Sequence, residues 1–181
     1  SLGLVGSEMC IRDRFMDMMI HDFDMARFIA DQEIVEVFAQ GDALVNPDIK
    51  DLDVDTAIVN LKFEDGSIGV ILNSRRAIYG YDQRLEAFGS EGTAMVENDL
   101  DANVIYATKE GYHKPNPQHF FLERYTQAYV DELNDFADAV FNNRETSVTF
   151  EDAIMAQRCA IAAKESLDSG KPAKVRMIDE K

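Results

Sequence analysis

The chain has 181 residues, 46% hydrophobic and 29% charged, with 18 basic against 34 acidic side chains and a net charge of −16 when histidine is counted neutral. That length suits one domain of ordinary size with its own core, and the aliphatic content excludes a disordered chain. The acidic balance excludes a nucleic-acid partner held by phosphate contacts, and no apolar run approaches the roughly 18 residues of a membrane span.

Residues 1–14 (SLGLVGSEMCIRDR) have neither helical nor strand period, and they lack the basic start and clean apolar stretch of a secretory signal. They are expected to be a non-native leader, so the domain of interest is 15–181. The spacing then predicts a helix over 17–30, apolar at Ile20, Phe23, Phe28 and Ile29. Strands follow at 34–40 and at Ala57, Val59, Leu61 and Phe63, which alternate with polar neighbours. Asp65-Gly66 supplies a hairpin turn, and 67–75 returns as the partner strand. Further strands are predicted at 84–89, 93–97 and 103–108, too closely spaced for helical crossovers, so the sheet should be largely antiparallel. Leu122, Tyr125, Tyr129, Leu133, Phe136 and Val140 mark one stripe along a long helix. A last helix starts at Thr149, with Asp152 as its capping-box partner, and stops before Gly170 and Pro172.

The resulting fold class is α+β: a largely antiparallel open sheet with helices packed on one face. The uncovered face should carry more apolar surface than a monomer tolerates, which points to a homo-oligomer. Cys10 and Cys159 have no CxxC spacing and read as inert thiols of a reducing compartment, the cytoplasm.

One segment carries chemistry. With about 100° per helical residue and Asp17 at zero, His21 lies near 40° and Asp24 near −20°, one narrow face, whereas Asp22 points elsewhere. A carboxylate four residues before a histidine can orient the ring and raise its basicity, as a general base requires, and Asp24 would accept hydrogen bonds from a polyhydroxylated substrate. The same residues also read as a capping aspartate and a hydrogen-bonded histidine near a helix start. A metal phosphohydrolase needs more histidines than His113 and His119, both in the loop GYHKPNPQH, so no metal site is expected. Cys159, mid-helix among alanines, is a poor nucleophile.

Phe15 to Ile29 (FMDMMIHDFDMARFI) resembles the catalytic-helix motif of the Gfo/Idh/MocA oxidoreductases, in particular their inositol 2-dehydrogenase branch. The likeness continues through NSRRAIYGYDQ at 73–83, then Glu86, Gly89 and Gly92, and FFLERYTQAYVDEL at 120–133. The resemblance implies that His21 is the general base, that Asp17 orients it, and that Asp24, Tyr81 and Tyr79 contact a polyol whose hydroxyl is oxidised to a ketone with hydride transfer to NAD or NADP. It also implies tetramers built through the sheet. Tyr79 and Tyr81, flanking Gly80, read equally as exposed loop aromatics. The family's nucleotide-binding Rossmann domain has no counterpart here: there is no GxGxxG and no Glu-Lys-Pro, and Gly66-Ser-Ile-Gly69 and Gly89-Ser-Glu-Gly92 lie among strands. Asp13-Arg14 stands where the family has paired glycines. The expected role is therefore the substrate and assembly half of an inositol dehydrogenase, inactive alone, with the cofactor bound mainly by an upstream domain. Glucose and scyllo-inositol are alternative substrates. A stand-alone domain that binds a sugar or a protein without catalysis is the alternative reading.

Overall fold

A computed structural model describes residues 14–178, so the expectation of a non-native leader, with Cys10, falls outside the described residues except at Arg14. The described residues divide into two compact units, one built from 14–76 and 148–178, the other from 77–147.

The first unit opens with a π-helical turn, Phe15–Met19, that runs directly into helix α1, Ile20–Ala30. Phe15, Met19, Phe23 and Arg27 recur every four residues and form the buried row. Phe28 and Ile29, expected in the apolar face, are exposed, Phe28 at 78%. Asp31 closes the helix in the left-handed conformation. Strands β1 (Ile34–Asp42), β2 (Thr56–Phe63) and β3 (Ile68–Ser74) follow, with residues 64–67 connecting the last two and Gly66 at φ 88°. Helix α4 and strand β8 of this unit come at the end of the chain, at Phe150–Ser169 and Ala173–Lys174. The sheet order is β3-β2-β1-β8 and each neighbouring pair is antiparallel.

Register explains the two faces of this sheet. Val37 and Ala39 of β1 lie beside Leu61 and Val59 of β2 and join the core with Phe15, Met19, Phe23, Met155 and Cys159. Ala156, Ala160 and Ala163 keep α4 thin where it lies on the sheet, and the buried Ser166 hydroxyl accepts from the Ala39 amide at 3.0 Å and donates to the Lys171 carbonyl at 2.6 Å. Burial pushes the Cys159 thiol up to about 12, consistent with an inert core residue. The other face carries Ile58, Ile68, Val70 and Leu72, all exposed, Ile68 at 82%. Helices thus cover one face only.

In the second unit the expected single sheet does not continue. Strands β4 (Leu85–Gly89) and β5 (Gly92–Val96) pair only with each other, as do β6 (Tyr106–Thr108) and β7 (Gly111–His113). Very short connections let each strand saturate its hydrogen bonds locally. The long helix breaks at Tyr125 (φ −108°, ψ 12°) into α2, Phe121–Arg124, and α3, Thr126–Asn142. Its apolar stripe is exposed at Leu122, Tyr129, Leu133, Phe136 and Val140, and Ala139 alone of α3 is buried. Helix α4 begins as expected: the Thr149 hydroxyl and amide both donate to the Asp152 carboxylate, and the Asp152 amide donates back to the Thr149 hydroxyl. It ends at Gly170 (φ 65°). Among the described residues no helix is long and apolar enough to cross a membrane.

Buried Asp55 organises the β1–β2 connection, accepting from the amides of Leu44 (3.0 Å), Val45 (2.9 Å) and Asn46 (2.6 Å) and from the Thr56 hydroxyl at 2.9 Å. Burial alone would raise this carboxyl, but the hydrogen bonds from Asn46, Thr56, Val45 and Leu44 outweigh it and hold the group below the usual range. A native value below the unfolded one means the stabilisation is complete above about pH 4 and is lost as pH falls through the depressed native value. Urea unfolding followed from neutral to acid pH should show the midpoint falling below about pH 4, and Asp55→Asn should lower the midpoint at pH 7 and flatten that acid decline.

Candidate active site

Opposite the buried row of α1 and its π turn stand Asp17, His21 and Asp24. The π turn exists where the sequence places two bulky buried side chains, Phe15 and Met19, before the helix tightens to the α form. Such turns recur at functional sites. His21 is exposed and, among the described residues, makes no hydrogen bond, so its ring nitrogens stay available. The expected contact between Asp17 and His21 is not made. Instead the Asp17 carboxylate accepts from Arg75 Nη2 at 3.2 Å, because Arg75, only 23% exposed, demands a counter-ion beside the end of β3.

Asp24 is also held. Its Oδ1 accepts from Arg27 Nη1 at 3.2 Å. Arg27 is 9% exposed and spends the rest of its fork on Glu33, at 2.8 and 2.7 Å, and on Asp152, through the side chain and the carbonyl, both at 3.2 Å. The Glu33 hydrogen bond, then the Glu33 charge and Asp152, keep this guanidinium firmly charged against the cost of burial. Asp24, half-exposed, therefore presents the remainder of its carboxylate outward in a set orientation.

Asp22 does point elsewhere, as the helical angle requires. Its Oδ2 accepts from Asn73 Nδ2 of β3 at 2.6 Å. Burial pushes the Asp22 carboxyl above the usual range, opposed by that hydrogen bond and by the charges of His21 and Arg14. Arg14 is fully buried, with Nη1 on the Met18 sulfur at 3.5 Å, and burial together with repulsion from Arg75 brings its guanidinium down to about 10. Asn73, Arg75 and Arg27 were not among the expected site residues. The spacing of Asn73 and Arg75, two apart along a strand, was the available signal that both reach the same side.

Tyr79 and Tyr81 belong to the second unit, where each is fixed by its own network. The Tyr79 hydroxyl donates to Asp82 Oδ2 at 2.5 Å, which raises the phenol's proton affinity. The Asp82 carboxyl is drawn down to about 2 by Arg84, against burial, with help from Tyr79 and Asn98. Tyr81 meets the edge of Tyr125, ring centroids 5.7 Å apart at 82°, and the Tyr125 hydroxyl donates to Gln83. Between the tyrosines, Gly80 adopts φ 139°, and the Tyr81 amide donates to the Gln118 carbonyl at 2.8 Å. Among the described residues no group of three or more His, Cys, Asp and Glu side chains is placed to hold a metal ion.

A model of the GFO/IDH/MocA C-terminal domain matches residues 13–95. A myo-inositol 2-dehydrogenase of Thermotoga maritima is 46% identical over 165 residues, 91% of this chain and 49% of that protein. The crystal structure of a probable dehydrogenase from Thermotoga maritima superposes with a TM-score of 0.89 at 45% identity, covering 92% of this chain and 51% of that one. A scyllo-inositol dehydrogenase from Lactobacillus casei, solved with bound NAD(H) and scyllo-inositol, reaches 0.83 at 27% identity over 90% of this chain and 48% of that one. The chain thus spans about half the length of the relatives it matches.

A Cβ at position 80 would come within 2.6 Å of the Pro117 carbonyl oxygen, in a backbone region that side chains rarely adopt. Gly80→Ala should cost about 1–3 kcal/mol. Hydrogen exchange of the Tyr81 amide, which bonds Gln118, should accelerate accordingly.

Proposed function

Because this chain belongs to the Gfo/Idh/MocA oxidoreductases, as their C-terminal domain, we propose that it forms the substrate-binding and proton-accepting half of an NAD-dependent inositol dehydrogenase. The observation that carries this reading is the exposed rim of α1. His21 has uncommitted ring nitrogens there, and the carboxylates on either side, Asp17 and Asp24, are each fixed by an arginine. Oxidising an alcohol to a ketone releases a proton and a hydride, and this chain deals with the proton. His21 takes it from the substrate hydroxyl, Asp17 contributes negative charge that favours the imidazolium, and Asp24 accepts hydrogen bonds from neighbouring ring hydroxyls. Tyr81 and Tyr79, in the second unit, are further candidate hydroxyl contacts, the Tyr81 hydroxyl being free of the carboxylate bond that holds Tyr79.

The described residues do not fit a dinucleotide. Gly66 and Gly69 bracket the β2–β3 connection, and Gly89 and Gly92 flank the β4–β5 turn. Neither pair stands between a parallel strand and a helix N-terminus, where a pyrophosphate is cradled. The cofactor, NAD or NADP, is assigned to a nucleotide-binding half outside this sequence. Myo-inositol is the leading substrate, with scyllo-inositol and glucose as the other candidates. The open sheet face, with Ile58, Ile68, Val70 and Leu72 exposed, supports assembly into a homo-oligomer, the tetramer being the expected form.

The 181-residue chain incubated with myo-inositol and NAD should form no NADH, since nothing among the described residues holds the nicotinamide against the reacting carbon. Joined to the nucleotide-binding half of the Thermotoga maritima relative it should form NADH, and His21→Ala in that protein should lower kcat/KM by about 10²–10⁴-fold. Retained turnover would reject His21 as the base. For assembly, sedimentation of a Val70→Lys, Leu72→Glu variant should give a monomer where the parent chain gives a larger species.

A further inference from the structure

Residues two apart on a strand project to the same side. Asn73 of β3 and Arg75, just beyond its end, both reach the helix that carries His21. Asn73 Nδ2 donates to Asp22 at 2.6 Å, and Arg75 Nη2 donates to Asp17 at 3.2 Å. The Arg75 backbone is itself anchored, its amide donating to the Asp55 carbonyl at 2.9 Å, and Asp55 is locked by its own hydrogen bonds. The two carboxylates flank His21 in sequence, four residues before and one after. One strand end therefore grips the helix on both sides of the candidate base.

We propose that Arg75 is a positioning residue that sets the proton affinity of His21 by holding Asp17 and partly neutralising its charge. The inference deepens the reading of His21 as general base and rests on it. With Arg75 in place, Asp17 is neither free to swing onto the imidazole nor able to act on it with its full charge. The carboxylate is kept one turn away, where it stabilises the imidazolium once the proton has moved. The other charges around His21 are accounted for. Asp22 is occupied by Asn73 and is pushed toward its neutral form by burial. Asp24 is shared with Arg27, which also binds Glu33 and, from α4, Asp152. Arg14, ahead of the helix, is disfavoured by burial and by Arg75 and only partly offset by Asp53, Asp22 and Asp55. Arg75 is the cation whose bonded partner lies one turn from the base.

The test is the titration of His21 in the 181-residue chain, followed by NMR, with His113 and His119 as internal controls and His21→Ala to assign the resonance. Arg75→Gln should raise the His21 midpoint by about half to one pH unit, because the carboxylate is released and the cation lost. Arg75→Lys, which keeps the charge, should restore the parental midpoint. Asp17→Asn should move it the opposite way, and it serves alone if Arg75→Gln does not fold. A His21 midpoint unmoved by Arg75→Gln, or moved equally with those of His113 and His119, would overturn the inference, as would an unmoved midpoint in Asp17→Asn. The base reading fails separately, through retained turnover of His21→Ala in the joined protein.

Discussion

The first unit is organised around one buried cation. Arg27 cannot stay charged at 9% exposure unless its whole fork is satisfied, and the partners that satisfy it come from three places. Asp24 lies one turn back on α1, Glu33 stands just before β1, and Asp152 is the capping-box partner of Thr149 in the first turn of α4. Desolvating a guanidinium is repaid only when all these groups converge, so the requirement fixes the helix against both the sheet and α4 at once. Asp152 shows the economy of the arrangement: one oxygen closes the Thr149 capping box and the other meets Arg27. The same cation orients Asp24, so packing of the core and geometry of the candidate site depend on one group.

Strand β3 does a comparable double duty. Its period of two sends Ile71 and Asn73 toward the helices, where Ile71 packs against the core and Asn73 binds Asp22. The alternate residues, Ile68, Val70 and Leu72, face the opposite way and remain exposed. The candidate site and the exposed apolar residues therefore lie on opposite faces of one sheet.

Much of this was legible before the fold was known, and the misses have physical causes. The Thr149–Asp152 box and the Gly170 stop of α4 are local hydrogen-bonding facts and stand as read. The alternation at Ala57, Val59, Leu61 and Phe63 matches the buried face of β2, since period alone dictates it. The long helix did not stay whole, because Tyr125 leaves helical geometry and places its ring and hydroxyl against Tyr81 and Gln83, contacts more than 40 residues away in sequence. Phe28 and Ile29 were assigned inward on hydropathy, whereas the inward row runs through Arg27, a residue that no hydropathy scale would bury. The likeness to the inositol dehydrogenase branch pointed to Asp17, His21 and Asp24, and the structure bonds Asp17 to Arg75 rather than to His21.

The sequence by itself determined the helix and strand periods, the caps, the acidic balance and the one segment in which a histidine lies among carboxylates. These follow from spacing along the chain, where partners are three or four residues apart. Only the tertiary structure decided which carboxylate each arginine takes, since Asp17 with Arg75 and Arg27 with Asp152 span 58 and 125 residues. It also decided that the strands past residue 77 close into separate hairpins rather than one sheet. The physical reason is the same in both cases: a buried charge or an unpaired strand edge must be satisfied by whatever the fold brings near, and nearness in space is not written in local period.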